Sequence, residues 1–249
     1  DIHGGGMDLK FPHHECEIAQ AKGSNGHEPV KYWLHANMLT MNGQRMSKST
    51  GNYILPMQLV DGENDFFEKA FHPSVVRFCF LQAHYRSVLD ISNDAMLASE
   101  KGFTRLVEAI KTLEILQPKN TSTVHIADLE QKLYTAMDDD FNTPILIAHL
   151  FDAVKMINSI KDNSEDISAE DLTRLKTIMH GFVFDVLGLQ TENTNVSSDK
   201  LDGVVKMLIE MRNQARVDKN WALSDQIRDQ LSALGIQLKD GSEGTSYTF

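Results

Sequence analysis

The sequence contains few residues of the kinds that form covalent cross-links or long apolar segments. Only two of its 249 residues are cysteines, Cys16 and Cys79, which excludes a disulfide framework and favours a reducing, cytoplasmic setting. No apolar run approaches the roughly 20 residues that a membrane-spanning helix requires, so no membrane partner is expected. Basic residues are also scarce, since 24 Lys and Arg oppose 35 Asp and Glu. This excess of acid disfavours simple nonspecific nucleic-acid binding.

The negative charge is concentrated in the middle of the chain. Residues 90–199 hold 9 basic and 19 acidic side chains and so carry −10 of the net −11. Residues 1–89 and 200–249 are close to neutral and therefore remain possible contact surfaces for an anionic partner. The chain opens on Asp1 inside a motif, without Met or a signal peptide, and we expect this start to be a truncation.

Two patterns of secondary structure divide the chain. Residues 1–55 mix Gly-rich, His-rich and Ser-rich stretches with short apolar runs, a pattern typical of loops and strand ends around a site. From about Ser92 to Leu189 the apolar residues recur with helical spacing, which predicts a helical bundle. Thr143 followed by Pro144 predicts one helix start in this region, and Ser168 predicts another.

The strongest chemical signal is a lysine among small hydroxyl residues, in the string Arg45-Met46-Ser47-Lys48-Ser49-Thr50-Gly51-Asn52. The ammonium of Lys48 is a compact charge that suits the negative charge of a departing pyrophosphate. We therefore predict that Lys48 is catalytic and that Arg45, Met46, Ser47 and Ser49 line a phosphate site. The GxxxxGK[ST] spacing of a Walker loop is absent.

A second motif occupies the first seventeen residues. Gly4, Gly5 and Gly6 let the backbone approach a ligand such as a nucleoside, and Asp8 can accept hydrogen bonds from a ribose or an ammonium group. Pro12 fits the first turn of a helix, which would place His13 and Glu17 on one face at i and i+4. An imidazole and a carboxylate at this spacing suit two zinc ligands, and a histidine-rich helix start with a solvated Glu explains the bare pair equally well.

These strings together resemble the cysteine–tRNA ligases, which are class I aminoacyl-tRNA synthetases. The resemblance rests on Asp1–Glu17 and the lysine string, and it continues through Ala83–Ser87, Ala136–Pro144 and Trp221–Asp225. It covers essentially the whole chain and corresponds to the C-terminal portion of that family. Residues 1–55 would be the end of a Rossmann-like catalytic domain and 56–91 a stem-contact segment. An acidic helical bundle at 92–190 and a small α+β anticodon-binding module at 200–249 would follow.

The resemblance also implies the reaction and its cofactors. Such an enzyme condenses L-cysteine with ATP, which binds with magnesium, and transfers the cysteinyl group to cysteine tRNA. One zinc ion, held in the family by two cysteines, a His and a Glu, binds the substrate thiolate. Only His13 and Glu17 of that set match here, so the zinc site is incomplete and the chain alone is expected to be inactive. We also expect a monomer.

Several residues keep two interpretations. Cys16 stands where the family usually has Asn and is either a substitute ligand or a helix-packing residue. His3 and His14 either shape the pocket or are structural histidines. The acidic run Asp138–Asp140 is best explained by the dipole of the following helix and a solvated turn.

The last fifty residues predict a helical hairpin followed by a β-hairpin. Leu201–Val217 and Asn220–Leu234 form the helices, Gly235 caps the second one, and Asp240-Gly241 makes the β-turn. On this module Arg216, Asp225 and Asp240 suit the edges of guanine and cytosine. Trp221 either stacks on an anticodon base or is a core residue between the helices. Arg212 and Arg228 are expected to contact phosphates or to form surface pairs.

Two other functions fit parts of the pattern. A relative that joins cysteine to a small amine, as in mycothiol synthesis, would use the same catalytic core but would not need the module at 200–249. A tRNA-binding module without catalysis would need that module but not the lysine string. A cysteine-dependent ATP–pyrophosphate exchange assay, followed by transfer to tRNA or to an amino sugar, separates the ligase from the mycothiol-type relative. Anticodon-dependent binding of cysteine tRNA tests the non-catalytic module.

Overall fold

The computed structural model describes residues 1–191, 194–234, 236–241 and 244–248. It divides into two compact units, Asp1–Thr191 and Glu192–Phe249. No helix in the part of the chain that the structure describes is long and apolar enough to cross a membrane.

The first unit opens with a parallel β–α–β arrangement. Strand β1 (Ile2–Gly6) pairs in parallel with β2 (Tyr32–Ala36), and helix α1 (Glu15–Asn25) connects them. An irregular helical segment, Lys10–His14, precedes α1 and contains extended backbone at Phe11. Helical backbone angles resume at Pro12 and continue into α1, as predicted from this proline. The regular α-helix begins at Glu15, so His13 lies in the irregular turn before it.

A second small sheet follows and connects to the helices. Strand β3 (Leu39–Met41) pairs with β4 (Gln44–Arg45) in an antiparallel hairpin and with β5 (Leu89–Ile91) in parallel. Helices α2 (Pro56–Asp61) and α3 (Pro73–Leu81) lie between β4 and β5 in the sequence. Each begins with a proline in its first turn, where a backbone N–H would have no partner within the helix. These two sheets have two and three strands. That they are the end of a Rossmann-like domain stays a prediction.

Four helices then form the predicted bundle: α4 (Asn93–Ile115), α5 (Ile126–Asp138), α6 (Thr143–Lys161) and α7 (Ala169–His180). Their facing side chains are almost completely buried, among them Leu106, Leu133, Leu150 and Leu175 at 0% exposure. The same core continues through α3 to Met41 and Ile91 of the second sheet. The lysine string therefore follows a strand that is packed against the bundle.

The helix starts follow the capping chemistry expected from the sequence, except that the cap of α6 lies one residue earlier than predicted. The hydroxyl of Ser168 accepts a hydrogen bond from the N–H of Asp171, as predicted. At α6 the cap is Asn142 and not Thr143, because the Asn142 side chain accepts from the N–H of Ile145. Pro144 occupies the first turn of that helix, where proline costs no hydrogen bond.

The second unit contains α8 (Thr194–Val217), α9 (Trp221–Ala233) and the antiparallel hairpin of β6 (Gln237–Gly241) with β7 (Gly244–Thr248). Helix α8 begins seven residues before the predicted Leu201. The predicted turn at Asp240-Gly241 is also wrong, because both residues belong to β6. The predicted cap at Gly235 lies outside the described residues.

Candidate functional site

Four aromatic rings gather where β1 and β2 run side by side. The parallel register places His3 opposite Trp33 and Gly5 opposite His35. The rings of His3 and Trp33 stack with centroids 4.8 Å apart, and His14 lies 5.0 Å from both Trp33 and His35. Two residues apart on one strand, Trp33 and His35 share a face of the sheet. The strand pairing thus assembles a ring cluster that helical spacing alone does not reveal.

His14 is the centre of this cluster. It is 4% exposed, and it is the only buried residue among the first forty. Its Nδ1 lies 2.8 Å from Nε2 of His35, so one ring donates a proton that the other accepts. A Cβ at Gly5 would lie 2.9 Å from Cε1 of His14, which is closer than packed atoms allow. Glycine at position 5 therefore makes room for the imidazole.

The ring cluster borders a pocket of about 320 Å³. Its lining consists of Met7, Lys10, His14, Glu15, Ile18, Trp33, His35 and Arg86. Desolvation lowers the pKa of His35, and the nearby basic groups His14, Lys10, His3 and Arg86 lower it further. His35 is therefore held in its neutral form more strongly than a free histidine. The indole Nε1 of Trp33 is buried without a hydrogen-bond partner among the described residues.

The structure groups a different histidine with Glu17 from the one that the sequence predicted. The side chains of His3, His14 and Glu17 each place a ligand atom within 4.8 Å of the other two. His13 is exposed and is not part of this group. Cys16 is also exposed and outside it, so its interpretation as a substitute ligand gains no support. His3 and His14, left open between two roles, both belong to the candidate metal group.

Two imidazoles and a carboxylate are all residue types that bind zinc. In a tetrahedral site with Zn–N of about 2.1 Å the ligand atoms lie roughly 3.4 Å apart, whereas the ligand atoms of His3, His14 and Glu17 lie up to 4.8 Å apart. His3 Nδ1 and Glu17 Oε2 are already 3.4 Å apart. Because His35 occupies Nδ1 of His14, only Nε2 of His14 can face a metal. The group fits three ligands of an open site.

The other residues predicted for a nucleotide site lie beside the cluster. A Cβ at Gly6 would lie 2.3 Å from Oδ1 of Asp8, so this glycine accommodates the carboxylate. Gly4 is exposed, and a Cβ at this position would lie 3.7 Å from its nearest neighbour, the carbonyl oxygen of Leu34. Asp8 itself is exposed. The space left by the missing Cβ atoms of Gly5 and Gly6 is thus occupied by the side chains of His14 and Asp8. Contact between these glycines and a ligand stays a prediction.

The lysine string forms a closed loop after the β3–β4 hairpin. The hairpin turns through Asn42 and Gly43, whose φ angles of 53° and 72° match the Asn-Gly turn that favours such hairpins. The N–H of Ser47 then donates to the carbonyl of Asn52 across 2.8 Å. The amide of Asn52 reaches back to the carbonyls of Met41, Gln44 and Arg45, each at 3.3 Å.

Within this loop Lys48 is exposed and lies over an aromatic ring. Its Nζ is 5.3 Å from the ring centroid of Tyr53. The hydroxyls of Ser47 and Ser49 form a hydrogen bond of 2.7 Å, while Arg45 is exposed and Met46 packs partly against the core. Lys48 is not among the residues that line the pocket beside His14. The loop and the ring cluster are thus two separate groups of the first unit.

The predicted base-reading residues lie on the second unit. Trp221 is 58% exposed at the start of α9, so the alternative of a core tryptophan is wrong. Asp225 pairs with Arg228 at 3.2 Å on the surface of α9. Arg216 is exposed near the end of α8, whereas Arg212 is 5% exposed, so its expected role on the surface is wrong. For Asp240 only the backbone is described, in β6.

Comparison with known proteins identifies two families that match parts of this chain. Residues 1–101 match the family described as tRNA synthetases class I (C) catalytic domain, and residues 132–192 match the DALR domain. The cysteine–tRNA ligase of Bacteroides fragilis is 50% identical over 248 residues, which cover 98% of this chain and 50% of that protein. The chain matches the C-terminal part of cysteine–tRNA ligases.

Two further comparisons set the extent of this likeness. The cysteine–tRNA ligase of Parabacteroides distasonis is 48% identical over 249 residues, 99% of this chain and 51% of that protein. The chain therefore spans about half the length of the curated cysteine–tRNA ligases it matches. A LeuRS–tRNA–LeuAMS complex from Agrobacterium radiobacter aligns with TM-score 0.53 at 16% identity, over 77% of this chain and 28% of that one. That likeness concerns the fold alone.

Sequence reasoning missed several residues of this cysteine–tRNA ligase-like site. Trp33 and His35 alternate in a strand, and this period of two was the available signal for a shared face. Arg86 and Tyr85 occur in a string noted only for its resemblance. Asp140, which was assigned to a solvated turn, accepts a hydrogen bond from Tyr85 and pairs with Arg86. No local pattern connects residues 54 positions apart.

Proposed function

We propose that the chain is the C-terminal part of an enzyme that activates L-cysteine with ATP and transfers the cysteinyl group to cysteine tRNA. The observation that carries the proposal is about 50% identity to cysteine–tRNA ligases along 98% of the chain. That match includes both the lysine loop and the histidine-rich segment. ATP would bind with magnesium, as in other adenylate-forming reactions.

Lys48 has the role of stabilising charge on the departing pyrophosphate. An exposed ammonium on a loop held by Asn52 can move toward phosphates without breaking a buried contact. Ser47, Ser49 and Arg45 lie in the same loop and would supply further donors. Asp8, two residues after β1, would accept hydrogen bonds from the adenylate ribose or from the substrate ammonium.

Glu17 with a histidine would hold the zinc ion, which selects the substrate thiolate over the hydroxyl of serine. His13 is the ligand that the family resemblance implies, and His14 is the one that lies with Glu17 and His3. The hydrogen bond to His35 orients the His14 ring and leaves its Nε2 available. Replacing His13 and His14 one at a time, with zinc content measured in the full-length protein, tests which histidine binds.

The reaction is tested by cysteine-dependent ATP–pyrophosphate exchange in the full-length protein, followed by transfer to tRNA. Lys48→Ala should lower the exchange rate about 100-fold, since a point charge on the leaving group is lost. Lys22→Ala is a matched control, because Lys22 forms only a surface pair with Glu28 on the same unit. Exchange without transfer to tRNA, or transfer to an amino sugar instead, would contradict the proposal.

The second unit would bind the anticodon. Trp221 offers an exposed ring for stacking on a base, and Arg216, Asp225 and Asp240 would read base edges. Trp221→Ala should weaken binding of cysteine tRNA about tenfold. Leu234→Ala is the control, because it removes another exposed apolar residue of the same unit. Equal binding of a tRNA with a changed anticodon would exclude this role.

A further inference from the structure

The guanidinium of Arg86 is held at the edge of the ring-cluster pocket by a residue of the helical bundle. Nε of Arg86 lies 2.8 Å from Oδ2 of Asp140 and 3.0 Å from the hydroxyl oxygen of Tyr85. The Tyr85 hydroxyl in turn donates to Oδ1 of Asp140 across 2.7 Å. The three groups form a closed triangle, so the direction of the Arg86 side chain is fixed by two partners.

The backbone beneath this triangle is attached to the strand that carries the rings. The N–H of Asn37 donates to the carbonyl of Tyr85, and the Asn37 amide donates to the carbonyl of Arg86, both at 2.8 Å. Asn37 follows directly after β2, which contains Trp33 and His35. Arg86 is therefore positioned from both sides, by β2 and by Asp140.

This arrangement leaves the outer end of Arg86 available. Among the described residues no hydrogen bond uses its two Nη groups, and the side chain is 60% exposed. The pocket lining contains two cations, Arg86 and Lys10, against one acid, Glu15. A guanidinium with free Nη groups matches two oxygens of a carboxylate or phosphate.

We propose that Arg86 and Lys10 form a binding site for an oxyanion at the edge of this pocket, and that Asp140 is the positioning residue for Arg86. The site deepens the proposed function, because a cysteine substrate carries a carboxylate, and ATP and tRNA carry phosphates. Asp140 lies between α5 and α6, with φ of 54° in the left-handed region. The bundle thus contributes directly to a pocket built by β1 and β2.

The test is an NMR titration of the chain with inorganic phosphate and with acetate, at constant ionic strength. The imidazole signals of His35 report binding in every variant. A saturable shift with either anion supports the site, and the tighter anion identifies phosphate or carboxylate as the preferred group. Arg86→Gln should abolish the shift, because the charged donor is lost. Asp140→Asn should weaken the affinity about tenfold, because Arg86 loses the carboxylate that orients it.

Asp138→Asn is the matched control, because it makes the same chemical change two residues away and should bind like the unmodified chain. Tyr85→Phe removes only the bridging hydroxyl and should weaken binding about threefold, which tests the same idea if Asp140→Asn does not fold. Unchanged affinity in folded Asp140→Asn or Tyr85→Phe would overturn the positioning role. Binding retained by Arg86→Gln, or no saturable shift, would overturn the site.

The titration does not depend on catalysis. Loss of phosphate binding with intact exchange activity would contradict this site alone. Intact binding in a full-length protein without cysteine-dependent exchange would contradict the proposed function alone. Each proposal can therefore be contradicted without contradicting the other.

Discussion

The helical bundle and the ring cluster are stabilised in different ways, although both belong to the first unit. In the bundle, large apolar side chains such as Leu113 and Ile157 are completely buried. In residues 1–36 the only buried residue is His14, while Ile2 and Phe11 are 63% and 77% exposed. The bundle thus depends on apolar burial, whereas the cluster depends on ring stacking and polar contacts. The candidate metal ligands and the pocket residues therefore lie in the region with less apolar packing.

The largest expected effect tests the apolar burial of the bundle. Leu150→Ala in α6 should lower the free energy of unfolding by about 3 kcal/mol, because a completely buried side chain leaves a cavity. Phe11→Ala should lower it by less than about 0.5 kcal/mol, since its ring is 77% exposed. Urea unfolding followed by circular dichroism measures both. Equal losses would remove the distinction between the two regions.

The next effect tests the ring cluster. Gly5→Ala should lower the free energy of unfolding by about 2 kcal/mol, because its methyl group would meet the His14 ring at 2.9 Å. It should also shift the imidazole signals of His14 and His35. Gly4→Ala is the matched control on the same strand, where the nearest atom would be at 3.7 Å. Unchanged imidazole signals in Gly5→Ala would show that the cluster does not need the glycine.

A smaller effect tests local capping in the bundle. Ser168→Ala should lower the free energy of unfolding by about 1 kcal/mol, because the N–H of Asp171 at the start of α7 loses its acceptor. Thr173→Ala, on an exposed part of the same helix, should change it by less than about 0.5 kcal/mol. A cap effect as small as that of Thr173 would mean that packing alone sets the start of α7.

The smallest effect concerns surface charge on the bundle. Hydrogen bonds from His180 and Lys176 lower the pKa of Glu114 below its ordinary value of 4.5. Because the folded-state pKa is the lower one, Glu114 stabilises the fold above pH 4.5, and this contribution is lost as the pH falls through the folded-state pKa. Thermal midpoints between pH 3 and 6 should therefore depend less on pH in Glu114→Gln.

Glu108→Gln is the control for this pH dependence, since Glu108 is exposed on the same helix. Its pH profile should follow that of the unmodified chain. If Glu114→Gln keeps the full pH dependence, the bond to His180 does not contribute to acid stability. The partly exposed pair makes this the weakest of the four effects.

Much of the bundle was predictable because its signals are local. Helical periodicity predicted the bundle, and Ser168 and Pro144 marked helix starts within it. The start of α8 was not predictable in this way, because a Ser/Thr/Asn-rich stretch favours loops unless packing overrides its low helix propensity. The β-turn near Asp240 was placed too early, since pairing across the hairpin extends β6 through Gly241.

The sequence by itself determined the chemical groups of the candidate site: a lysine among hydroxyls, glycines beside an aspartate, and histidines near Glu17. Only the tertiary structure decided which of them meet. Spacings of three and four residues place His14 and His13 equally well beside Glu17. Packing of the His14 ring against the rings of His3, Trp33 and His35 brings His14 into the group with Glu17. Asp140 and Arg86 meet because helices and strands pack together, and long-range packing leaves no local pattern in a sequence.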